Sequence, residues 1–596
     1  MTARIDPLAT SLRTHLCGAL RAEHEGQSVV LGGWIHRSRD LGGIVFLDLR
    51  DRAGLVQVSF DPKHASPEAI AASQAAGLES TVIVEGTVTL RPAEMRNADM
   101  ETGAVEVKAT SFRVVGPAQT PAIPVARGKG VPLPAEELRL KHRLLDLRRP
   151  ELQANLLLRH RLLQRARASM TSQSFFEIET PILTKPTPEG ARDFLVPSRV
   201  HAGEFYALPQ SPQIYKQMLM VAGFDRYFQL ARCFRDEDLR ADRQLEFTQI
   251  DLEMSFVTQE DVQRVVERVL VELWAEAGEA VTAPFVRLRW HDAMERYGVD
   301  KPDLRHASVQ ISDLTSLVGD DAAPFVRDAM AAGGRVRALR LPHASDASRK
   351  EIDAMAAAAK DARAGGLIWA KRTEAGWEGQ GVKAIGASAL AKLGGTVGEL
   401  LLAVAGPDRI SSPALHSVRM LAVKRAGVQP EATHAFCWIV DFPLFEPGAE
   451  AGARVFAHHP FTSPHPDDLA HLESDPDRCR ALHYDAVYNG NELGSGSIRI
   501  IDPILQGTVF KLLGVNPDEQ QKRFGFMLDG LAAGAPPHGG FALGFDRIAM
   551  LLAGSSSLRD VIAFPKTTAA RALFEGAPTV IDAHELTALH IAPITA

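Results

Sequence analysis

The sequence predicts a multidomain chain of the α/β (α+β) class: a small N-terminal β-barrel, then a large mixed core interrupted by an inserted domain. Three observations carry this expectation. Short β-rich runs separated by Gly- and Asp-containing turns fill residues 28–115. From Pro150 the apolar residues take up a helical spacing, and after about residue 300 an Ala-rich helical stretch separates two segments rich in aromatic and β-branched residues. A chain of 596 residues also exceeds what a single hydrophobic core usually organises.

The barrel is read from runs at 29–31, 44–49, 55–60, 82–89 and 105–107, which suit an OB-type fold over residues 1–116. In the second run Val45, Leu47 and Leu49 share one parity and should pack inward, which leaves Phe46 facing out beside Asp48 and Arg50. Gln57, between Val56 and Val58, and Glu106, between Val105 and Val107, face out by the same logic. With the basic cluster Arg37, Arg39, Arg50 and Arg52, these residues compose a surface suited to a single nucleic-acid strand, where an aromatic ring stacks an unpaired base.

Residues 117–150 follow as a hinge, because Pro117, Pro121, Pro124, Pro132 and Pro134 are too closely spaced for a helix interior or a central strand. Leu152, Leu156, Leu163 and Met170 then recur at helical intervals and open the first part of the core, 151–300. The insertion spans 301–425, with a helix expected near 353–364. The second part of the core runs over 426–565, and 566–596 is a C-terminal extension.

Composition narrows the function classes. Hydrophobic residues at 45% and charged residues at 23% match an ordinary globular chain, and the net charge of -7 argues against nonspecific coating of nucleic acid. Four cysteines without a CxxC pair suggest neither a disulfide scaffold nor a zinc ribbon. No basic segment followed by an apolar run opens the chain, and no stretch reaches the roughly 18 apolar residues of a membrane span, so a cytoplasmic enzyme is expected.

The chemistry concentrates in residues 227–256. A strand ending in Cys233-Phe234-Arg235 leads into a highly charged loop, and a second strand returns with Thr248, Ile250, Leu252 and Met254 on one face and Phe247, Gln249, Asp251 and Glu253 on the other. An edge hairpin can also carry a polar face, so this pattern alone decides little. The phrase Phe234-Arg235-Asp236-Glu237 resembles motif 2 of the class II aminoacyl-tRNA synthetases. The glycine-rich phrase Gly539-Gly540-Phe541-Ala542-Leu543-Gly544-Phe545-Asp546-Arg547 resembles motif 3, and Phe175-Phe176-Glu177-Ile178-Glu179-Thr180-Pro181 resembles motif 1. Competing ATP signatures are missing, with no GxxxxGK[ST] loop and no HIGH or KMSKS phrase.

Longer phrases over about residues 12–565 resemble the bacterial aspartyl branch of that family. They include 187–193, 206–213, 233–244, 300–305 and 458–462. The resemblance implies an antiparallel-sheet catalytic core with a GAD-like α/β insertion, ATP and Mg2+ as cofactors, and tRNA-Asp and L-aspartate as partners. It also implies a homodimer through motif 1 and a two-step reaction through aspartyl-adenylate. By the same resemblance Arg235 and Arg547 act on the α- and γ-phosphates, and Asp236, Glu237, Gln244, Glu492, Gly544, Phe545 and Asp546 complete the ATP site. Glu189, Gln213, Lys216, Arg235, Asp251, His458 and Arg499 bind aspartate, while Asp485 and Glu492 hold magnesium. Phe46, Gln57 and Glu106 fall at anticodon positions. Leu41 matches members that charge only tRNA-Asp, whereas Glu94 fits neither that pattern nor the one for members that also charge tRNA-Asn. Asparaginyl and lysyl relatives share the barrel and core, but the insertion and Arg499 argue against them.

Overall fold

The computed structural model describes residues 9–128, 130–186, 191–239, 242–448 and 453–592. They fall into two compact units. The first comprises the described residues of Met1–His160, Asp238–Gln244 and Ala549–Asp582, and the second those of Arg161–Glu237, Leu245–Ile548 and Ala583–Ala596.

In the first unit, strands β1 (Ser28–Leu41), β2 (Ile44–Asp51), β3 (Gly54–Phe60), β4 (Thr81–Leu90) and β5 (Val105–Gly116) close into a barrel in the order β1-β2-β3-β5-β4. Period-two alternation explains the closure: Val45, Leu47, Leu49, Val56, Val58, Val82, Val84, Val105 and Val107 all point into one core. Arg50, expected on the outer face, is instead buried. Its guanidinium grips the Glu79 carboxylate through bonds of 2.9 and 2.6 Å and lies 2.7 Å from His36 Nδ1. Burial together with the Arg50 charge lowers the His36 imidazole to about 4. The alternation of β2 could not reveal this, since the residue is polar and its partner lies 29 positions downstream.

The described residues of the proline-rich stretch carry no helix or strand up to residue 135, but the end of the predicted hinge is ordered by helices Glu136–Lys141 and Arg143–Asp146. Arg143 is buried there because it donates to the carbonyls of Arg559, Ile562 and Ala563 and pairs with Asp146 at 2.8 Å.

Helix α1 (Pro150–Ser172) begins with proline at a position whose N–H has no intrahelical partner. Its fully buried apolar positions are Leu152, Leu162, Ala166 and Met170, so Leu163 lies one residue off the inward stripe.

The second unit is built on an eight-stranded sheet. In chain order its strands are β6 (Phe176–Glu177), β7 (Arg226–Phe234), β8 (Glu246–Ser255), β9 (Val286–Arg289), β10 (Phe436–Val440), β11 (His483–Tyr488), β12 (Asn491–Ile498) and β13 (His538–Gly544). They lie side by side as β9-β10-β11-β12-β13-β8-β7-β6, antiparallel except at the two outer pairs. Strand β8 is therefore central, and both of its faces are buried from Thr248 onward. Its polar face opens into the protein, as the face of an edge hairpin would not. The β11–β12 hairpin turns on Asn489 (φ 47°) and Gly490 (φ 80°), the pairing that a two-residue turn with positive φ requires.

Residues 301–425 contain a separate five-stranded sheet with strands at Ile311–Asp313, Arg335–Leu341, Ile368–Thr373, Gly376–Glu378 and Leu400–Gly406. Helices Arg349–Asp361 and Asp408–Arg425 pack on it through Ile352, Met355, Leu415 and Val418. Among the described residues no helix is long and apolar enough to cross a membrane.

Candidate active site

A cavity of about 320 Å³ opens on the polar face of β8. Gln249 and Asp251 form its floor, with Ala542 from β13 and Ser495 and Gly496 from β12 beside them. Helix α2 (Gln213–Val221) contributes Gln213 and Lys216, which share a face because they are three residues apart. Arg235 and Glu237 enter just beyond β7, Arg499 just beyond β12, and His458 and His459 from the preceding loop.

Four buried charges organise the deep end. Lys216 Nζ lies 2.6 Å from Asp251 Oδ1 and 3.4 Å from Glu253 Oε2. Arg499 donates to both oxygens of Glu253, at 2.8 and 3.0 Å, and a further nitrogen reaches Ser497 Oγ at 2.5 Å and His459 Nε2 at 2.7 Å. Two cations and two carboxylates thus balance, with Glu253 shared between the cations. Such a cluster is tolerated in a low-dielectric interior only when its members are well paired. Space for it comes from Gly540: a β-carbon there would sit 1.9 Å from Glu253 Oε2 and 2.3 Å from the Leu252 carbonyl. At this position the glycine motif serves the ion cluster.

The pairing is incomplete on one side. Asp251 Oδ2 and Gln213 Nε2 are buried and have no hydrogen-bond partner among the described residues. Burial outweighs the Lys216 ammonium and raises the Asp251 carboxyl to about 6. A further cation at Oδ2 would lower it again, so this corner is matched to a positively charged group. At the other end, burial holds His458 at about 3 and keeps His459 and His483 well below the usual imidazole range, with Arg499 adding to the effect on the latter two. His458 and His483 stack as neutral rings.

His483 also lies 2.8 Å from Asp485. Burial, then the nearby charges of Glu492 and Asp300, push the Asp485 carboxyl well above the carboxylate range. Glu492 sits across the hairpin, its carbonyl accepting from Arg547 at 2.7 Å and its carboxylate facing Lys301 at 3.4 Å. Arg547 belongs to helix α3 (Phe545–Leu552), which leaves β13 directly. Arg235 is held by its N–H on the Leu245 carbonyl, 2.8 Å, and by its guanidinium over the Phe247 ring at 5.1 Å.

The fold thus gathers Gln213, Lys216, Arg235, Glu237, Asp251, His458 and Arg499 around one cavity. Others lie elsewhere. Asp236 is half exposed and faces Arg192. Phe545 is buried, Gly544 pairs with Gln249, and the Asp546 carboxylate accepts the Thr248 N–H at 2.7 Å, which ties α3 to β8. Gln244 belongs to the first unit, where its amide exchanges two hydrogen bonds with the Lys566 backbone. Glu189 lies outside the described residues. Glu253, Gln249, His459, His483 and Ser495 also belong to the site, although none was among the expected site residues. The first two shared the parity of Asp251 and could have been found by it; the others are joined to the site only by strand pairing and loop return.

On the barrel, Arg39, Asp48, Gln57 and Glu106 form one chain: Arg39 donates to Asp48 at 2.8 Å and to Gln57 at 3.3 Å, and Gln57 donates to Glu106 at 3.0 Å. Phe46 stands directly across from Arg39 and is half-buried. Arg91, not anticipated, is buried near Glu106 and Asp48, with Nε and Nη2 unpartnered among the described residues. Leu41 is 65% exposed at the end of β1, and Glu94 lies exposed in the turn Ala93–Met95.

Comparison with known proteins matches residues 135–568 to the family described as tRNA synthetases class II (D, K and N), and residues 29–115 to the OB-fold nucleic acid binding domain. The chain is 47% identical over 587 residues to the aspartate–tRNA(Asp/Asn) ligase of Geotalea uraniireducens, covering 98% of each chain. It is 45% identical over 585 residues to the aspartate–tRNA ligase of Bacillus licheniformis, covering 97% of this chain and 98% of the relative. Among solved structures, the asparaginyl-tRNA synthetase of Pyrococcus horikoshii complexed with asparaginyl-adenylate aligns with a TM-score of 0.59 at 18% identity, over 93% of this chain and 98% of that one. The aspartyl tRNA synthetase of Entamoeba histolytica aligns at 0.56 and 20% identity, over 91% and 89%. These last two share the fold. With a family match across most of its length and relatives alike from end to end, the chain belongs to the class II tRNA synthetases of the D, K and N group.

Proposed function

We propose that this chain is an aspartate–tRNA ligase, which condenses L-aspartate with ATP to aspartyl-adenylate and pyrophosphate and then transfers aspartate to the 3′ end of tRNA-Asp. The observation that carries the reading is the cavity's charge pattern: buried Lys216 and Arg499 stand beside the unpartnered Oδ2 of Asp251. A short amino acid with a second carboxylate complements that pattern. Arg499 and Lys216 take the side-chain carboxylate, Asp251 and Gln213 take the ammonium, and His458 lines the same cavity. Charge-assisted contacts of this kind contribute about 1.5–3 kcal/mol each, and a neutral asparagine amide forgoes part of them.

In the first step the substrate α-carboxylate attacks the α-phosphorus, the bond to the pyrophosphate oxygen breaks, and Arg235 stabilises the charge that develops. Glu237 reads the adenine amino group, and Arg547, bonded to the Glu492 carbonyl, steadies the γ-phosphate. A ribose hydroxyl of the terminal tRNA adenosine then attacks the aspartyl carbonyl and AMP leaves. Positioning and preorganised charge supply the rate. Asp485 and Glu492 suit a magnesium ion: they are hard oxygen donors, and the burial and carboxylate crowding that together raise Asp485 are what a divalent cation offsets. That ion, when bound, neutralises phosphate charge.

The reading places the enzyme in the cytoplasm as a homodimer through the motif 1 region, where Phe176 and Leu183 are exposed at 62% and 51%. ATP–pyrophosphate exchange assayed with each standard amino acid should respond to aspartate alone; exchange driven by asparagine or lysine instead removes the assignment. A second reading, charging of tRNA-Asn as well, draws support from the name of the Geotalea relative, whereas Leu41 favours strict tRNA-Asp specificity. Aminoacylation of purified tRNA-Asp against tRNA-Asn separates the two.

Phe46, Gln57 and Glu106 are assigned to the anticodon. Phe46→Ala is expected to lower kcat/KM for tRNA charging by roughly 5- to 150-fold, the equivalent of about 1–3 kcal/mol of lost stacking. Exchange should stay within about twofold of wild type, and equal damage to both activities contradicts the assignment.

A further inference from the structure

We infer that the inserted domain carries a binding site of its own for a small organic monocarboxylate, with Arg372 as its anion-binding group. A cavity of about 320 Å³ lies between the hairpin formed by Ile368–Thr373 and Gly376–Glu378 and the two helices that follow it. Arg372 and Trp377 are directly paired across the hairpin and so share one face. Val382, Leu390 and Ala391 supply the apolar wall. The volume is that of a ligand pocket at the small end of the usual range.

Arg372 is the anomaly. Its guanidinium makes no hydrogen bond or ion pair among the described residues, and its Nε is fully buried without an acceptor. The neighbouring arginines of this domain each make side-chain bonds or ion pairs: Arg335 with Glu295 and Asp408, Arg337 with Ser412 and two backbone carbonyls although its own Nε also lacks an acceptor, Arg340 with Glu399, and Arg425 with Glu351. A buried donor left open on a permanent cation is costly, and a planar fork with open donors is shaped for a carboxylate. Trp377 offers the guanidinium no acceptor, since indole carries only a donor, and that N–H goes to the Gly394 carbonyl at 3.0 Å. Gly376 lies beside the guanidinium, where a β-carbon would stand 3.5 Å from Arg372 Nη1, an ordinary contact distance.

One guanidinium, with no second cation among the lining residues, balances a single negative charge. The site therefore takes a monoanion with a short apolar or flat body against Trp377 and Leu390, in preference to a phosphate dianion. The carboxylate seats on the Arg372 fork and the body fills the apolar wall.

Benzoate is a suitable probe and benzamide its uncharged control. Titration of the full-length protein, followed by ligand-observed NMR, should show saturable benzoate binding with Kd on the order of 1 mM and benzamide at least about tenfold weaker. Arg372→Gln is expected to weaken benzoate at least about tenfold, and Leu390→Trp, which fills the cavity while leaving the arginine, should do the same. Both variants should keep aspartate-dependent exchange within about twofold of wild type. Thermal unfolding confirms that each is folded, and if Arg372→Gln does not fold, the Leu390→Trp titration decides. Equal binding of benzoate and benzamide, no saturation by about 20 mM, or benzoate binding that survives in a folded variant overturns the proposal. So does benzoate that L-aspartate displaces, which would assign the binding to Lys216 and Arg499.

Discussion

Arg235→Ala is expected to slow aspartate-dependent ATP–pyrophosphate exchange by about 10³-fold or more while leaving tRNA-Asp binding within about threefold of wild type. The size follows from electrostatic preorganisation: removing a single fixed donor aimed at developing charge typically costs about 10²–10³ in rate, and a full guanidinium exceeds a neutral donor. Arg235 is fixed in this sense. Its backbone closes the β7–β8 hairpin on Leu245, its guanidinium rests over Phe247, and it lines the cavity with Glu237 and Asp251. The tRNA-binding face assigned to the barrel involves none of these groups. Exchange at the wild-type rate in the folded variant would refute the phosphate role, and parallel loss of tRNA binding would point to general unfolding.

Arg499→Met carries the second large effect, on stability as well as on activity. Glu253 sits in the interior with no exposed surface; burial alone would raise its carboxyl, yet Arg499 and then Lys216 hold it below the ordinary value. Without Arg499 only the 3.4 Å contact to Lys216 remains. Truncating one partner of a buried pair typically costs about 3–5 kcal/mol, because the other charge is stranded.

The pH dependence has a definite sign. In the wild type, a carboxyl depressed in the folded state contributes stability above its unfolded pKa of about 4.3, and loses it as pH falls through the folded value. In the variant, desolvation raises Glu253 instead, so an ionised Glu253 costs stability above about 4.3. Urea unfolding should therefore show the deficit of Arg499→Met to be larger at pH 8 than at pH 5. Adding Glu253→Gln should recover part of it, since the stranded charge is gone, without restoring aspartate activation. In the single variant, kcat/KM for aspartate is expected to fall by roughly 150-fold or more, the equivalent of at least about 3 kcal/mol from two lost charge-assisted contacts. A deficit independent of pH, or normal aspartate kinetics, would show that Arg499 is neither the Glu253 partner nor a substrate contact.

Much of this architecture was legible in residue order. The period-two runs of the barrel mark its five strands because inward Val, Leu and Phe must alternate with wet positions, and the alternation of β8 correctly separates Asp251 and Gln249 from Ile250 and Leu252. The phrase around Arg235 and the Asn489-Gly490 turn are equally local signals. The burial of Arg50 was not readable, because the residues that satisfy it, His36 and Glu79, lie 14 and 29 positions away. The ordered end of the predicted hinge depends likewise on Arg143 reaching carbonyls more than 400 residues downstream.

Local sequence by itself determined which segments are helix or strand and which side of each strand is apolar. Those properties depend on φ, ψ and side-chain period within a few residues. Only the tertiary structure decided that β8 is central, that Glu253 is shared by Lys216 and Arg499, and that Gly540 is small to admit that carboxylate. Electrostatic pairing and excluded volume act through space between segments hundreds of residues apart, so the buried charges of the cavity acquire their partners only when the chain closes.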